Sequence, residues 1–407
     1  MFRSGFDLAR QAKPRVSHGV LLLALLFVSC GGGSGSTGNS GGNGGGGGTG
    51  GGGNTSPASG EYLWEVGNVT NNLNYATINT TTGALGSPTA AGGPASNPTN
   101  YPSIVVAPSG NYLYAFYWTF SELETFRVFG PGFQLEYLAG ADYTFNMPYE
   151  WSMVLHPSGK FLYVFMSGTQ STIQELSIDA STGGMTLGQT QAENADLRLG
   201  VFDPAGQFLF VNDLTGGRVF VYQVNQTNGS LTAAAGSPFT LPAGEQPTQL
   251  AIGGSGTSLF LYADLYLSGG AGGGIAAFSI NSSTGALAVV QGSPFQSGVY
   301  PPAYICVDPS KRFLYGSNLT PGSIYALTIN PATGALTPIA GSPFSSAPTS
   351  DTIAIDPSDQ FLYVTNYANS TIYGFSINPT TGSLSALSGS PFPAVPQPVG
   401  LTMMDIP

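Results

Sequence analysis

The sequence predicts an all-β fold: a seven-bladed β-propeller of four-stranded antiparallel blades, whose ring is closed by the C-terminal strand joining the N-terminal blade. Three observations predict this fold. A triplet with a central leucine followed by an aromatic residue recurs seven times, six times with an aromatic residue before the leucine; tight-turn sequences flank the copies, and the two ends of the repeat region are offset in phase. Self-similarity at a period of about 50 residues is typical of repeat architectures.

The triplet is clearest in "FLY" at 361–363. Seven segments carry it or a close variant, 47 to 55 residues apart. They are Tyr62-Leu63-Trp64, Tyr112-Leu113-Tyr114, Phe161-Leu162-Tyr163, Phe208-Leu209-Phe210, Ser258-Leu259-Phe260, Phe313-Leu314-Tyr315 and Phe361-Leu362-Tyr363. Because all copies keep the leucine and the aromatic residue after it, we expect these side chains to pack in a core rather than to form a site.

Each triplet is predicted to lie in the second of four strands. An apolar run precedes it and ends in a sequence such as "DPSD" at 356–359, which suits a type I turn. An alternating third strand follows, then a Thr-Gly turn and a short fourth strand that leads to "GSPF". The repeated aspartates of the first turn are therefore interpreted as turn residues rather than an acidic site: Asp203, Asp308, Asp356 and Asp405.

The phase of the two ends predicts how the ring closes. The repeat region begins at residue 61 with a second strand, and the C-terminal segment "PVGLTMMD" at 398–405 is similar to the first-strand sequence "SDTIAID". The last strand is therefore expected to complete the first blade, which would protect the sheet edges.

"FLYVTN" and the spaced pattern "DPSG…LYV…N…I…F…I…TG.L…GSPF" resemble the YVTN-type repeats of the lactonase-like β-propeller family. The resemblance covers residues 61–407. It implies a seven-bladed propeller and, in the enzymes of the family, lactone hydrolysis such as that of 6-phosphogluconolactonases. The shared residues are turn and core residues, so they indicate the fold more strongly than the activity.

The N-terminal region predicts an exported lipoprotein of the bacterial cell envelope. Residues 1–29 combine four basic residues with the apolar run "GVLLLALLFV" and are expected to be a signal peptide. "FVSC" resembles a lipobox and implies lipid attachment at Cys30. Residues 30–60 form a Gly/Ser-rich segment without apolar anchors, expected to be a disordered linker. Residues 61–407 are the predicted propeller, tethered at the outer membrane, in the periplasm or at the cell surface.

Charge restricts the partners. The chain has 10 basic and 21 acidic residues, and four of the basic residues precede residue 16. Such a body repels nucleic acid, so no nucleic-acid partner is expected. The expected partners are the membrane, through the lipid, and a small polar ligand, a glycan or an envelope protein; the body is expected to be monomeric. No metal or cofactor motif occurs, so no cofactor is predicted.

The natural site of a propeller is the mouth of its central channel, where innermost strands begin and the loops between second and third strands lie. Acidic and basic residues there could activate water and hold an oxyanion. The candidate catalytic residues are Glu150, Asp196 and Arg198. The candidate ligand-binding residues are Trp151, Tyr300, Tyr304, Asp351, Asp264, Asn212 and Asn366. Any of them can equally be a solvated loop residue.

Two further features bear on the site. His156, the single histidine after residue 18, occupies the aspartate position of a turn and is interpreted as structural. The segment "ADLYLSGGAGGG" at 263–274 is predicted to be an enlarged mouth loop, either a flap or a tolerated insertion.

Two functions remain open on these observations. The favoured hypothesis is a membrane-tethered binding module that grips its ligand at the channel mouth, because few candidate catalytic side chains are present. The alternative is a lactonase, as the family resemblance implies, that uses an acidic residue and an arginine at the mouth.

Overall fold

The computed structural model confirms the seven-bladed propeller. It describes residues 60–67, 73–92, 102–117, 122–130, 134–138, 140, 143–145, 149–167, 170–242, 244–267, 274–296, 302–318, 322–345 and 352–406. Within these ranges every regular element is a β-strand, and the strands form seven antiparallel sheets. We number the blades along the chain by their second strands.

Each blade has four main strands, described here from the channel outward. The innermost strands are β4 (Pro102–Val106), β9 (Tyr149–Leu155), β13 (Leu197–Phe202), β18 (Glu245–Ser255), β23 (Pro302–Val307), β28 (Ile353–Ile355) and β33 (Pro398–Ile406). The second strands are β1 (Gly60–Gly67), β5 (Tyr112–Tyr117), β10 (Phe161–Ser167), β14 (Phe208–Asp213), β19 (Ser258–Leu267), β24 (Phe313–Asn318) and β29 (Phe361–Asn366).

The outer half of each blade is more variable. The third strands are β2 (Leu73–Thr77), β6 (Glu122–Phe129), β11 (Ser171–Ile178), β15 (Arg218–Val224), β20 (Gly274–Ile280), β25 (Ser323–Ile329) and β30 (Thr371–Ile377). The fourth strands are β3 (Thr89–Gly92), β7 (Gln134–Tyr137), β12 (Met185–Glu193), β16 (Leu231–Ala233), β21 (Leu287–Val289), β26 (Leu336–Pro338) and β31 (Leu384–Ala386). Five short strands pair with third strands: β8 (Tyr143–Thr144), β17 (Phe239–Thr240), β22 (Phe295–Gln296), β27 (Phe344–Ser345) and β32 (Phe392–Pro393).

The ring closes as predicted. The C-terminal strand β33 pairs with β1 along the whole of that strand, for example Leu63 with Met403. Each innermost strand lies beside the innermost strands of the two neighbouring blades, including β33 beside both β28 and β4. The hydroxyl of Tyr363 in blade 7 also donates a hydrogen bond to the Gly83 carbonyl of blade 1, at 2.7 Å.

The triplets form the core, as predicted. Their leucines and the aromatic residues after them are buried, in hydrophobic clusters between adjacent sheets. In blade 7, Leu362 pairs with Ile355 of the innermost strand and with Phe375 of the third. The same pairing pattern recurs in the other blades.

The predicted triplet of blade 5 is wrong by two residues. Leu261, not Leu259, pairs with the innermost strand at Ile252 and with the third strand at Phe278. The structural triplet is therefore Phe260-Leu261-Tyr262. The shift arises because "GGSGTS" at 253–258 has no Asp-Pro turn. Instead, Ser255 pairs with Ser258 across a two-residue turn, which lengthens the hairpin.

The repeated aspartates of the internal blades are turn residues, as predicted. Asp203 and Asp308 accept hydrogen bonds from the backbone N–H groups of Phe208 (2.6 Å) and Phe313 (2.7 Å). Asp405 differs, because it lies within β33 and pairs there with Glu61.

His156 is structural, as predicted. Its side chain is buried, and its Nε2 donates to the Gly206 carbonyl of the next blade at 2.9 Å. Burial lowers the pKa of His156, which favours the neutral imidazole. The histidine therefore joins two blades instead of serving the mouth.

Candidate functional site

The mouth of the channel lies where the innermost strands begin and the second strands end. Here the innermost strands are irregular. In β9 the pairing with β10 steps from Glu150 directly to Ser152, so that Trp151 is bulged. Comparable register shifts occur at the starts of β13, β18, β23 and β33. Bulges of this kind re-aim side chains and are common at barrel rims and next to active sites.

The bulge in blade 4 carries the candidate arginine. Pairing steps from Leu197 to Gly200 on β13 but only from Asp213 to Val211 on β14. Two residues, Arg198 and Leu199, therefore oppose the single residue Asn212. The position of Arg198 in β13 therefore depends on this bulge and would differ in a regular strand.

Asn212 stabilises the bulge. Its side chain is fully buried, and its Oδ1 accepts the N–H of Leu199 at 2.8 Å, a hydrogen bond that the regular ladder would otherwise supply. Its Nδ2 donates to the carbonyl of Pro247 in blade 5 at 2.8 Å. In the structure this predicted ligand-binding residue thus holds two blades together behind the mouth.

Asp196 and Arg198 converge at the mouth in a bidentate ion pair. Arg198 Nε and Nη2 donate to the two carboxylate oxygens of Asp196 at 2.6 and 3.0 Å. Their side chains are about one-fifth exposed, at 22% for Arg198 and 19% for Asp196. A planar guanidinium held by two hydrogen bonds is oriented as well as charged, which suits it to bind a carbonyl or oxyanion.

A second ion pair lies directly beside the first. Asp213 is fully buried, and its Oδ2 accepts Nε of Arg218 at 2.7 Å. Its Oδ1 accepts the backbone N–H of Asp196 at 2.9 Å, which links the two pairs. Sequence analysis missed Arg218. The sequence feature that could have identified Arg218 is its position. It is the first residue of the third strand after the mouth loop, and it pairs with Asp213 at the end of β14.

Glu150 lies on the innermost strand next to the one that carries this pair. Its backbone lies at the start of β9, the innermost strand next to β13. Two residues later, the Ser152 hydroxyl donates to the Arg198 carbonyl at 2.8 Å. The side chains of Glu150 and Trp151 lie outside the described residues, as do Tyr300, Asp351 and Cys30. The predicted catalytic trio therefore stays a prediction, of which two members are seen together.

The segment 263–274 differs from the predicted loop. Ala263–Leu267 continue β19 and pair with the lengthened start of β18, while residues 268–273 lie outside the described residues. Asp264 accordingly lies in a strand and is fully buried between blades 5 and 6. The Tyr325 hydroxyl donates to its Oδ2 at 3.3 Å, and burial raises its pKa well above the ordinary value.

Two other candidate residues also lie inward of the rim. Asn366 is buried at the end of β29, and its Oδ1 accepts the N–H of Asn369, which shapes the loop that follows. Tyr304 is buried in β23 among the core residues of blades 6 and 7. Both are placed as supports of the mouth, and their predicted contact with a ligand stays a prediction.

A cleft of about 280 Å³ lies on the mouth face between blades 4 and 5. The loop before Arg218 forms one wall, and the connection from Thr240 to Gln246 forms the other. Glu245 lines this cleft, and partial burial raises the pKa of its carboxyl group. Glu245 is the one charged side chain among the described residues that line the cleft, and the cleft adjoins the Asp213–Arg218 pair.

Two kinds of feature are absent from the described ranges. They hold no group of three or more His, Cys, Asp or Glu side chains that could bind a metal ion. The same ranges hold no helix with the length and hydrophobicity of a membrane-spanning segment.

Comparison with known proteins adds a family match. A family model described as "Lactonase, 7-bladed beta-propeller" matches residues 189–403. No curated protein matches the chain.

Several solved structures share the fold. A Bacteroides fragilis protein provisionally assigned as a 6-phosphogluconolactonase is 18% identical, with a TM-score of 0.69 over 85% of this chain and 98% of its own. The periplasmic gluconolactonase of Pseudomonas aeruginosa is 19% identical, with a TM-score of 0.67 over 85% of this chain and 100% of its own. At sequence identities this low, the similarity shows a shared fold and nothing more specific.

Proposed function

Because the chain belongs to the seven-bladed β-propeller lactonase family, we propose that it hydrolyses a sugar lactone at the mouth of its central channel. The observation that carries this proposal is the Asp196–Arg198 ion pair, held at the mouth by the bulge in β13. Family membership favours hydrolysis over the alternative of a pure binding module. The names of the structural neighbours support a sugar lactone as the substrate class.

Lactone hydrolysis needs a water nucleophile and a stabilised oxyanion. In the proposed mechanism the carboxylate of Glu150 takes a proton from water as the water oxygen adds to the lactone carbonyl. The guanidinium of Arg198 donates hydrogen bonds to the oxyanion that forms. The ring C–O bond then breaks, and the proton returns from Glu150 to the departing ring oxygen, which yields the open hydroxy acid.

Asp196 is assigned as a positioning residue in this mechanism. Both of its carboxylate oxygens are engaged by Arg198, so it holds the guanidinium plane rather than activating water. Glu150 is the acidic candidate on the neighbouring innermost strand, and it is therefore the proposed base.

A panel of aldonolactones, with acid release followed by pH-stat, tests the proposal. We expect turnover by the purified protein and a loss of about 100-fold or more in kcat/KM in Arg198→Ala and in Glu150→Gln. Arg127→Ala is the matched control, because Arg127 pairs with exposed Glu136 at 3.3 Å and lies at the end of the ring opposite the mouth. A folded protein inactive on every lactone would contradict hydrolysis and return the binding module as the better hypothesis, which a glycan array would then test.

We also propose that the propeller is tethered to the cell envelope through lipid on Cys30, as the N-terminal sequence predicts. Incorporation of labelled palmitate in cells, compared with Cys30→Ser, tests this directly. Labelling equal in the two proteins would contradict it.

A further inference from the structure

We infer that the substrate of this site is an uncharged lactone and not a phosphorylated one. This inference rests on the proposed function and specifies its substrate class. It is argued from the positive charges available at the mouth, because a phosphate monoester carries close to two negative charges at neutral pH and is recognised by arginine and lysine side chains.

The positive charges of the propeller can be counted completely. Only six of the ten lysines and arginines follow residue 15, and all six lie among the described residues. They are Arg127, Lys160, Arg198, Arg218, Lys311 and Arg312. No residue outside the described ranges after position 59 adds a lysine, an arginine or a histidine.

Four of the six lie at the end of the ring opposite the mouth. Lys160, Lys311 and Arg312 directly precede second strands, in the turns that connect them to innermost strands. Arg127 pairs with Tyr112, the first residue of the second strand of blade 2, which places it at the same end. His156 belongs to one of these turns as well, and its pKa is lowered by burial.

The two remaining cations are already neutralised. Arg198 is held by both oxygens of Asp196, and Arg218 is held through Nε and Nη2 by Asp213. A phosphate group could recruit Arg218 only by leaving Asp213, which is fully buried, without its counter-ion. Removing one partner of a buried ion pair is strongly unfavourable.

The field around the pairs is negative. Glu245 lines the adjoining cleft, and the chain as a whole carries a net charge of −11. A dianionic ligand would meet this field without a positive charge to offset it, whereas an uncharged lactone would not. The hydroxyl groups of a sugar lactone can still donate to the acidic side chains and accept from the guanidinium groups, so such a ligand satisfies the site without a net charge.

Two substrates that differ only in the phosphate test the inference: glucono-δ-lactone and 6-phosphoglucono-δ-lactone. We expect the full-length protein to show a kcat/KM about tenfold or more higher for glucono-δ-lactone, with the ratio falling as salt screens the repulsion. Equal rates, or preference for the phosphorylated lactone, would overturn the inference and leave the proposed hydrolysis standing. Failure to hydrolyse either compound, or any other aldonolactone, would overturn the proposed function and this inference with it.

A charge variant provides an independent readout. Asp196→Asn removes the counter-ion of Arg198 while keeping the shape of the side chain. Its overall activity is expected to fall, because Arg198 is less well positioned. The ratio of kcat/KM for the phosphorylated lactone to that for the unphosphorylated one is expected to rise several-fold, since one positive charge at the mouth is then uncompensated. An unchanged ratio would contradict the electrostatic argument; Glu136→Gln, on the opposite side, is the matched control.

Discussion

Buried polar residues act in two ways in this propeller. Some have their hydrogen bonds satisfied and fix the backbone, as Asn212 does behind the bulge of β13. Others keep an oxygen without a partner among the described residues, such as Glu65 Oε1 and Asp264 Oδ1. A buried carboxyl group of the second kind is most stable when protonated, and it makes the free energy of unfolding depend on pH.

Glu65 is a buried carboxyl group that should make the free energy of unfolding depend on pH. It is fully buried in β1, its Oε2 accepts the N–H of Val395 at 2.9 Å, and burial raises its pKa from 4.5 to about 7. Because the folded pKa is the higher one, the folded state binds the proton more tightly than the unfolded chain. The resulting stabilisation is present below pH 4.5 and is lost as the pH rises to about 7, by about 3 kcal/mol in total.

Glu65→Gln should therefore remove part of the pH dependence of stability. We expect the melting temperatures of the wild type and the variant to be similar at pH 5, and the variant to be the more stable at pH 8. Thermal unfolding at both pH values measures this, and Glu136→Gln, half exposed on β7, is the control. A wild-type-minus-variant difference that does not change with pH would contradict the assignment.

For single residues, the sequence predicts which end of the propeller a residue lies at better than it predicts the burial and contacts of its side chain. Arg198 is predicted at the mouth from its place at the start of an innermost strand, and the structure pairs it with Asp196. The bulge that places it could not be predicted, because it depends on the number of residues that β14 sets against it. Asp264 is predicted as a rim residue, yet the lengthened β18–β19 hairpin buries it; that lengthening is a property of two strands together.

At the scale of strands and turns, the glycine-containing turn between the third and fourth strands packs against the neighbouring blade, as blade 6 illustrates. Gly334 of blade 6 has φ of +73°, and a Cβ atom there would lie 2.3 Å from Cδ1 of Phe260 in blade 5. The hydroxyl of Tyr262 in the same triplet donates to the Gly334 carbonyl at 3.0 Å. The glycine is therefore required by backbone conformation and by close packing at once.

Gly334→Ala should consequently destabilise more than a glycine replacement that strains the backbone alone. We expect about 3 kcal/mol, from strain plus displacement of Phe260. Gly256→Ala is the matched control, because its φ is +57° and no atom lies within 4 Å of the place that a Cβ would take; about 1 kcal/mol is expected. Urea unfolding of both variants measures the difference, and equal losses would rule out the packing contribution.

Strand prediction succeeds where the repeat is regular. Six of the seven predicted triplets align with the structure. In five of them an Asp-Pro turn or its equivalent fixes the spacing before the second strand. The sixth is that of blade 1, whose innermost strand is the C-terminal strand β33. The triplet of blade 5 is misplaced because "SLFLY" contains two leucines that each precede an aromatic residue, and the turn that would select between them is absent.

At the scale of the whole molecule, β33 is the strand that joins the two ends of the ring. It supplies the innermost strand of blade 1 and contacts the innermost strands on both sides. Trp64 Nε1 also donates to Met404 Sδ at 3.2 Å across this junction. Without β33, β1 would present an unpaired edge to the channel.

A stop codon after Gln397 should therefore prevent formation of a monomeric native ring. We expect loss of the cooperative thermal transition together with self-association through the exposed edge of β1. Near-ultraviolet circular dichroism and light scattering measure both, and removal of Pro407 alone, beyond the last residue of β33, is the control. A truncated protein that stays monomeric with an unchanged transition would show that closure is dispensable.

The pairing of β1 with β33 also constrains the order in which the protein can form. The first strand to leave the ribosome finds its inner neighbour more than 300 residues later, since Leu63 pairs with Met403. Contacts of such sequence separation carry the largest loop-closure cost and form late. A nascent chain can assemble the blades that are complete within themselves, but blade 1 must wait for the C-terminus. The ring can therefore close only after β33 has been synthesised, and until then the first and last blades remain unjoined.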